Sequence, residues 1–461
     1  MTDRIHQYRN LIFIIFFIHL VVISYFVLSG GDPKRADTAR YLTLAETLCA
    51  EQHYLGPNVR NRSDILRITE PQENFLKHEN ATEQVPEVFR TPGYPVFLCG
   101  LNKIGIESHY GIVAIQYAMY LFTVFLIWHN IKKLFAPKVA NFLAISLLVI
   151  PGGLIYALTL YSEVLFLLLF APAMLLTMRF TREHNTWLLA VAGALFALSF
   201  YVKPSVLYLP FLFAGVLVVF SRQPRRHTAM QAGLLVLVFC VGVAPWLLRN
   251  HHAYGTPYVS GQMSNMLAIY HLPTLRHELE GTAKADSRRT IREAVDDAVH
   301  AREQETQQYM SAVEIYTLQQ RYAISGFMEY PMVYAKLWLH GTYKSIKGDY
   351  LHRFYLMMGG RPLQWGQVAG DASAGQFLIR AGIKAEQLFW TLIAGVAALA
   401  IVGGLWRRDP VYWISGLCIA FFLVIPGTMG YSRFRFPVDW LILTFAISLL
   451  DVWVGKARRR D

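Results

Sequence analysis

Long apolar runs separated by shorter polar segments dominate the chain. Ten runs of about 16 to 21 residues are almost free of charged side chains. A helix needs about 20 apolar residues to cross the hydrocarbon core of a bilayer. The pattern therefore predicts an all-α polytopic membrane protein with about ten transmembrane helices. The runs are Leu11–Leu28, 110–130, 139–157, 161–179, 187–202, 204–220, 229–248, 387–406, 411–429 and 436–454.

Basic residues form clusters that follow every second apolar run. Because Lys and Arg are retained on the cytoplasmic side, this alternation predicts that both termini are cytoplasmic. The first run suits a helix better than a signal peptide, since no cleavage site of the A-x-A kind follows it. A tight outside turn at Lys203-Pro204 is needed, because residues 187–220 are too long for one span. The clusters are Lys132, Lys133 and Lys138; Arg179 and Arg182; Arg222, Arg225 and Arg226; Arg407 and Arg408; and Lys456 with Arg458, Arg459 and Arg460.

Two large polar segments lie on the opposite, extracytoplasmic side. We predict three parts: a transmembrane catalytic module at 1–257 with an outer loop at 31–105, an extracytoplasmic helical region at 258–386, and carboxyl-terminal transmembrane helices at 387–461. The second part is rich in Glu, Ala, Arg and Gln between residues 275 and 320, which indicates surface helices. Residues 330–339 combine aromatic and apolar side chains with a basic flank, as expected of a helix in the membrane interface.

Composition supports a protein surrounded by membrane lipids. The 461 residues are 54% hydrophobic and only 16% charged, against roughly 25% in a soluble domain, which excludes a soluble enzyme. The net charge of +12 is explained by membrane orientation, and no nucleic-acid partner is predicted. Of the four cysteines, Cys49 and Cys99 are the pair that could form a disulfide. Asn61 and Asn80 begin triplets that fit N-glycosylation acceptors.

Three acids stand where spans meet the outer aqueous phase. Asp32 and Asp37 follow the first span, and Glu163 lies at the outer end of the fourth. Partial desolvation there raises a carboxyl pKa and suits a general base, although each acid could instead cap a helix. No dedicated metal site is predicted.

Cations recur on the same side, where they could hold an anion such as a phosphate or anchor lipid headgroups. Because the chain has no Walker A or G-x-G-x-x-G motif, an activated substrate would be delivered by the membrane, as a polyprenyl-phosphate sugar is. The cations are Arg90, Lys203, Arg249, Arg433 and Arg435.

Several motifs resemble those of integral-membrane glycosyltransferases of the GT-C superfamily, near the dolichyl-phosphate-mannose protein mannosyltransferases and the bacterial aminoarabinose transferases. Residues 37–48, DTARYLTLAETL, are similar to the family's D-x-x-x-Y-x-x-x-A-x-x-L, and residues 90–98, RTPGYPVFL, to R-x-P-G-Y-P-x-F-L. Three further motifs follow in the family's order: Ser162-Glu163, PWLLRN at 245–250 and SRFRFP at 432–437. Residues from about 260 to 385 match no motif of the family.

The resemblance implies an inverting transfer of a sugar from a polyprenyl-phosphate donor to an extracytoplasmic lipid, glycan or protein. Asp37 would be the general base, ranked above Asp32 because it alone has the family spacing, and the five cations would hold the donor phosphate. For Glu163 two roles stay open, orienting the acceptor or binding a divalent cation. The residues expected to contact substrate are Tyr41, Tyr94 and Tyr161.

The location expected is a bacterial inner membrane with the site facing the periplasm. Two alternatives remain from the residues themselves. A transporter or flippase of a lipid-linked glycan would place ionisable residues near the membrane midplane, and a glycan polymerase or ligase would depend on outer-loop Arg and His.

Overall fold

The computed structural model describes residues 2–34, 37–57, 84–221, 223–360, 363 and 374–457. Most of these residues are helical, which confirms the predicted all-α fold class. Within the described ranges the β structure is one antiparallel hairpin, β1 (Leu55–Pro57) with β2 (Gln84–Pro86). The predicted acceptor sites Asn61 and Asn80 lie outside the described residues.

The predicted break at Lys203-Pro204 is confirmed in the amino-terminal part. Lys203 is extended and ends one helix, and Pro204 opens a 3₁₀ turn, because proline disfavours a helical residue before it. The helices, in chain order, are α1 (Thr2–Leu28), α2 (Thr38–Glu51), α3 (Gly93–Lys103), α4 (His109–Leu134), α5 (Pro137–Val149), α6 (Pro151–Ala157), α7 (Glu163–Glu183), α8 (Thr186–Val202), α9 (Leu209–Phe220) and α10 (Arg225–Tyr254).

The carboxyl-terminal part begins with the helices expected between the two membrane regions. They are α11 (Gln262–Met266), a π turn at Leu267–His271, α12 (Leu272–Glu280), α13 (Lys284–Thr306), α14 (Ala312–Glu329), α15 (Pro331–Lys347) and α16 (Leu351–Met357). Apolar helices follow: α17 (Ala374–Trp406), α18 (Pro410–Val424), α19 (Ser432–Arg435) with a 3₁₀ turn at Phe436–Val438, and α20 (Asp439–Ala457). The predicted interfacial segment is α15, which exposes Met332 and Leu339 at 81% and 72%.

All ten predicted apolar runs fall on helices. Five helical segments are long and apolar enough to cross a membrane: α4, α7, α10, most of α17, and Ser432–Trp453. A sixth is α5 with α6, which bend by 55° at Pro151. Three other runs form shorter apolar helices, Thr186–Val202, Pro204–Phe220 and Pro410–Val424, and the first run lies on α1. The number of membrane crossings therefore stays a prediction at about ten.

Helices α7 and α20 lie at the centre of the bundle. In the most apolar stretch of Glu163–Glu183, and in that of Ser432–Trp453, 61% of the residues are buried. The corresponding share in α17 is 22%. Aromatic rings fill the space around α7: Phe166 stacks on Phe170 at 5.1 Å, and Phe422 of α18 meets Phe170 at 5.2 Å. Because the core holds these two helices firmly, the charged residues at their amino-terminal ends have well-defined positions.

A disulfide joins Cys49 of α2 to Cys99 of α3, as the sequence allowed. The first helix follows Asp37 and the second follows Arg90. The bridge therefore fixes the two elements that carry the first two sequence motifs against each other.

Candidate active site

Asp37 lies between two arginines that are remote from it in sequence. It occupies the position before the first turn of α2, and its carboxylate does not cap that helix. Instead Oδ1 accepts a hydrogen bond from Arg90 Nη2 at 2.7 Å and Oδ2 accepts one from Arg433 Nη1 at 2.7 Å. The first, second and last sequence motifs therefore meet at one carboxylate.

Glu163 forms the second half of the same cluster. This first residue of α7 is fully buried, and its Oε1 accepts hydrogen bonds from Lys203 Nζ at 2.9 Å and from Arg433 Nε. Arg433 therefore bridges the two acids. Its planar fork suits this role, since it can direct different N–H groups at two carboxylates. Glu163 Oε2 has no hydrogen-bond partner among the described residues.

The cluster carries a net positive charge. Two carboxylates face three cations, Arg90, Lys203 and Arg433, which leaves one positive charge at a largely buried site. Hard divalent cations prefer sites with an excess of oxygen ligands. Within the described ranges no group of three or more His, Cys, Asp or Glu side chains could hold a metal ion. The arrangement suits an anionic ligand better than a divalent cation.

The arginines also set the proton affinity of Asp37. Burial opposes its ionisation, but the charges and hydrogen bonds of Arg90 and Arg433 outweigh burial and lower the pKa of Asp37 below its usual range. Asp37 is therefore ionised at neutral pH. It is a weak base as long as both of its oxygens remain paired.

The three tyrosines expected to contact substrate surround this cluster at different depths. The Tyr41 hydroxyl accepts a hydrogen bond from Arg90 Nη1 at 2.9 Å. The Tyr161 ring lies under the Arg433 guanidinium at 4.2 Å from its centroid. Tyr94 is fully buried, packs edge-on against Tyr41 at 4.9 Å, and donates its hydroxyl proton to Gln116. Tyr41 and Tyr161 are therefore part of the cluster, and Tyr94 supports Tyr41 from behind.

Three other predicted site residues are not brought into the cluster. Arg249 donates to the backbone carbonyls of Glu87 and Tyr54 at 2.6 and 2.7 Å. Arg435 is fully buried, donates to Asp439 at 2.7 Å, and stacks on a tryptophan. Asp32 is exposed and accepts a hydrogen bond from the backbone of Lys34.

Glu87 positions Arg90 and was not recognised from the sequence. Its buried carboxylate accepts the backbone N–H of Phe89 at 2.6 Å and of Arg90 at 2.8 Å, and it pairs with Arg40 at 2.8 Å. The acid therefore holds the backbone turn from which Arg90 reaches Asp37. The sequence marks Glu87 only by its position three residues before the RTPGYP motif. An acidic residue in any loop could occupy such a position.

Tyr350 and Asp439 hold the segment that carries Arg433. The Tyr350 hydroxyl donates to Asp439 at 2.5 Å, and the Ser432 hydroxyl donates to the Asp349 carbonyl at 2.9 Å. Arg435 joins this network from the other side. The two arginines of the SRFRFP motif thus have different surroundings: Arg433 enters the cluster, and Arg435 anchors the backbone behind it.

Residues 89–248 match the family model of dolichyl-phosphate-mannose-protein mannosyltransferases. This stretch contains Arg90, Glu163 and Lys203 of the cluster. The match confirms the resemblance to GT-C glycosyltransferases and supports a membrane-bound glycosyltransferase.

Among curated protein sequences none matches the chain. Among solved structures, the chain is similar to the archaeal oligosaccharyltransferase AglB from Archaeoglobus fulgidus in complex with an inhibitory peptide and a dolichol-phosphate. The identity is 12% and the TM-score 0.46, with 95% of this chain and 50% of that chain covered. The chain therefore spans about half the length of that protein.

Proposed function

We propose that the protein is a glycosyltransferase that moves a sugar from a polyprenyl-phosphate donor to an acceptor outside the cytoplasm. The observation that carries the proposal is the bridging of Asp37 and Glu163 by Arg433 within a buried cluster of net positive charge. Such a cluster offers a carboxylate for the acceptor proton and fixed cations for a phosphate leaving group. The family match over residues 89–248 supports the same chemistry.

The site is proposed to face the periplasm of a bacterial inner membrane, with both termini in the cytoplasm. The disulfide between Cys49 and Cys99 supports an extracytoplasmic position for α2 and α3, because disulfides persist in oxidising compartments. The basic clusters of the sequence favour the opposite side as cytoplasmic.

In the proposed reaction, Asp37 takes the proton of the acceptor hydroxyl or amine as that group attacks the anomeric carbon. The bond from the anomeric carbon to the phosphate oxygen breaks, its electron pair stays with the phosphate, and the anomeric centre inverts. Arg90, Lys203 and Arg433 stabilise the charge that develops on the phosphate. The lipid tail would extend into the bilayer between the spans.

Donor binding would also activate the base. Arg90 and Arg433 hold both oxygens of Asp37. A phosphate that takes over part of the hydrogen bonding of these guanidinium groups weakens their hold on Asp37 and raises its pKa. The carboxylate would then be a stronger base only when the donor is present.

Transfer of labelled sugar in proteoliposomes tests the proposal. Wild-type protein should use a polyprenyl-phosphate sugar and not a nucleotide sugar, and Asp37→Asn should abolish transfer. Asp32→Asn is the matched control, because Asp32 is exposed and lies outside the cluster. Loss of transfer in the Asp32 variant with retention in the Asp37 variant would refute the assignment of the base. Movement of the lipid-linked sugar across the bilayer without turnover would favour a transporter.

A further inference from the structure

Helix α16 is anchored at its amino-terminal end. The backbone N–H groups of Tyr350 and Leu351 donate to the Glu386 carboxylate of α17 at 3.0 and 2.8 Å. The Tyr350 ring also meets Tyr156 of α6 edge-on, with centroids 6.2 Å apart. Side chains in the first turn of α16 therefore have a defined direction, although this region matched no sequence motif.

Arg353 projects from this helix beside the segment that carries Arg433. Its guanidinium lies 5.8 Å from the ring centroid of Tyr431, two residues before Arg433. Among the described residues no carboxylate forms a salt bridge with Arg353, and its side chain is half-buried. Arg353 and Arg433 are both close enough to the Tyr161 hydroxyl to act on it electrostatically, and the Tyr161 ring packs against Arg433.

Tyr156 adds an unsatisfied hydroxyl within reach of the same two charges. Its side chain is fully buried, and its hydroxyl has no hydrogen-bond partner among the described residues. Arg353, Glu163 and Arg433 all lie within electrostatic range of this hydroxyl. Since a buried hydroxyl without a partner is costly, its position here indicates a place for a polar ligand atom.

We propose that Arg353 and Tyr156 bind the phosphate of the lipid donor and stabilise it as it leaves. This inference rests on the proposed glycosyl transfer. The donor phosphate is a diester with one negative charge, which the one excess positive charge of the cluster matches. Breaking the bond to the sugar leaves a monoester, which gains a second negative charge. Arg353 supplies the second positive charge, and Tyr156 donates a hydrogen bond.

The test is equilibrium binding of a polyprenyl phosphate to the purified full-length protein in lipid nanodiscs. Arg353→Gln should weaken binding about tenfold or more, and Tyr156→Phe by severalfold. Arg289→Gln is the matched control, because this arginine is exposed on α13 and pairs with a surface acid. In transfer assays, Arg353→Gln should weaken inhibition by polyprenyl phosphate more than it raises the KM for the donor. A merely structural role would change both equally.

A second measurement needs no variant. Phenylglyoxal modifies accessible arginines, and bound polyprenyl phosphate should slow modification of Arg353 but not of Arg289. Unchanged binding in Arg353→Gln, or no protection of Arg353 in a protein that binds the lipid, would overturn this inference and leave the transferase proposal intact. Failure of the wild-type protein to bind polyprenyl phosphate would refute both.

Discussion

Replacing Arg433 by Gln removes the group that joins the two acids of the site. The variant loses the ion pairs with Asp37 and Glu163 and keeps a shorter, uncharged polar side chain. Each acid retains one cation, Arg90 for Asp37 and Lys203 for Glu163. We therefore expect the protein to fold and the site to lose its net positive charge.

The expected loss of activity follows from the missing stabilisation of the leaving phosphate. Removing one preorganised donor from a charge-stabilising site lowers kcat by about 100- to 1,000-fold. Arg433→Lys should lose less, because it restores the charge but cannot direct a planar fork at two partners. Arg407→Gln is the control, since Arg407 is exposed and adjoins α17 at the end opposite the site.

The pH dependence gives a second, independent readout. Arg433 helps to lower the pKa of Asp37, so its removal raises that pKa. A base acts when deprotonated, and activity falls as the pH drops through its pKa. The acid limb of kcat/KM should therefore shift to higher pH in Arg433→Gln. Transfer rates within twofold of wild type and an unshifted acid limb, in a variant that folds, would refute the role of Arg433.

Three further predictions concern groups that support the site. Glu87→Gln should lower kcat about tenfold or more by loosening the turn that aims Arg90, with little effect on the acceptor KM in steady-state assays. Replacing Cys49 and Cys99 by Ser should lower the free energy of unfolding by up to about 4 kcal/mol, because the disulfide closes a loop of 50 residues in the unfolded chain. Thermal unfolding measures the loss, and Cys240→Ser is the control, because that cysteine is free and exposed. Arg435→Gln should destabilise the protein by about 3–5 kcal/mol, because the buried Asp439 carboxylate loses its partner. A donor KM that rises while the melting temperature stays constant would contradict this structural role.

The local pattern of the sequence determined the helices and the break at Lys203-Pro204. Apolar runs of this length form helices in almost any context that buries them, and proline limits its neighbour through local sterics. The motifs also contain Asp37, Arg90, Glu163 and Arg433, which the structure brings together in one cluster. Each of these residues belongs to a motif whose spacing can be recognised in the sequence without knowing what the residue contacts.

Tertiary structure alone decided how these charges are paired and which cations belong to the site. The SRFRFP motif contains two arginines that the sequence does not distinguish. Arg433 reaches the acids and Arg435 is buried behind them, because the short α19 turns the two side chains to opposite sides. Glu87 and Arg353 have no motif at all. Their roles depend on contacts or proximity to residues far away in the chain, and the packing of the bundle brings these partners together.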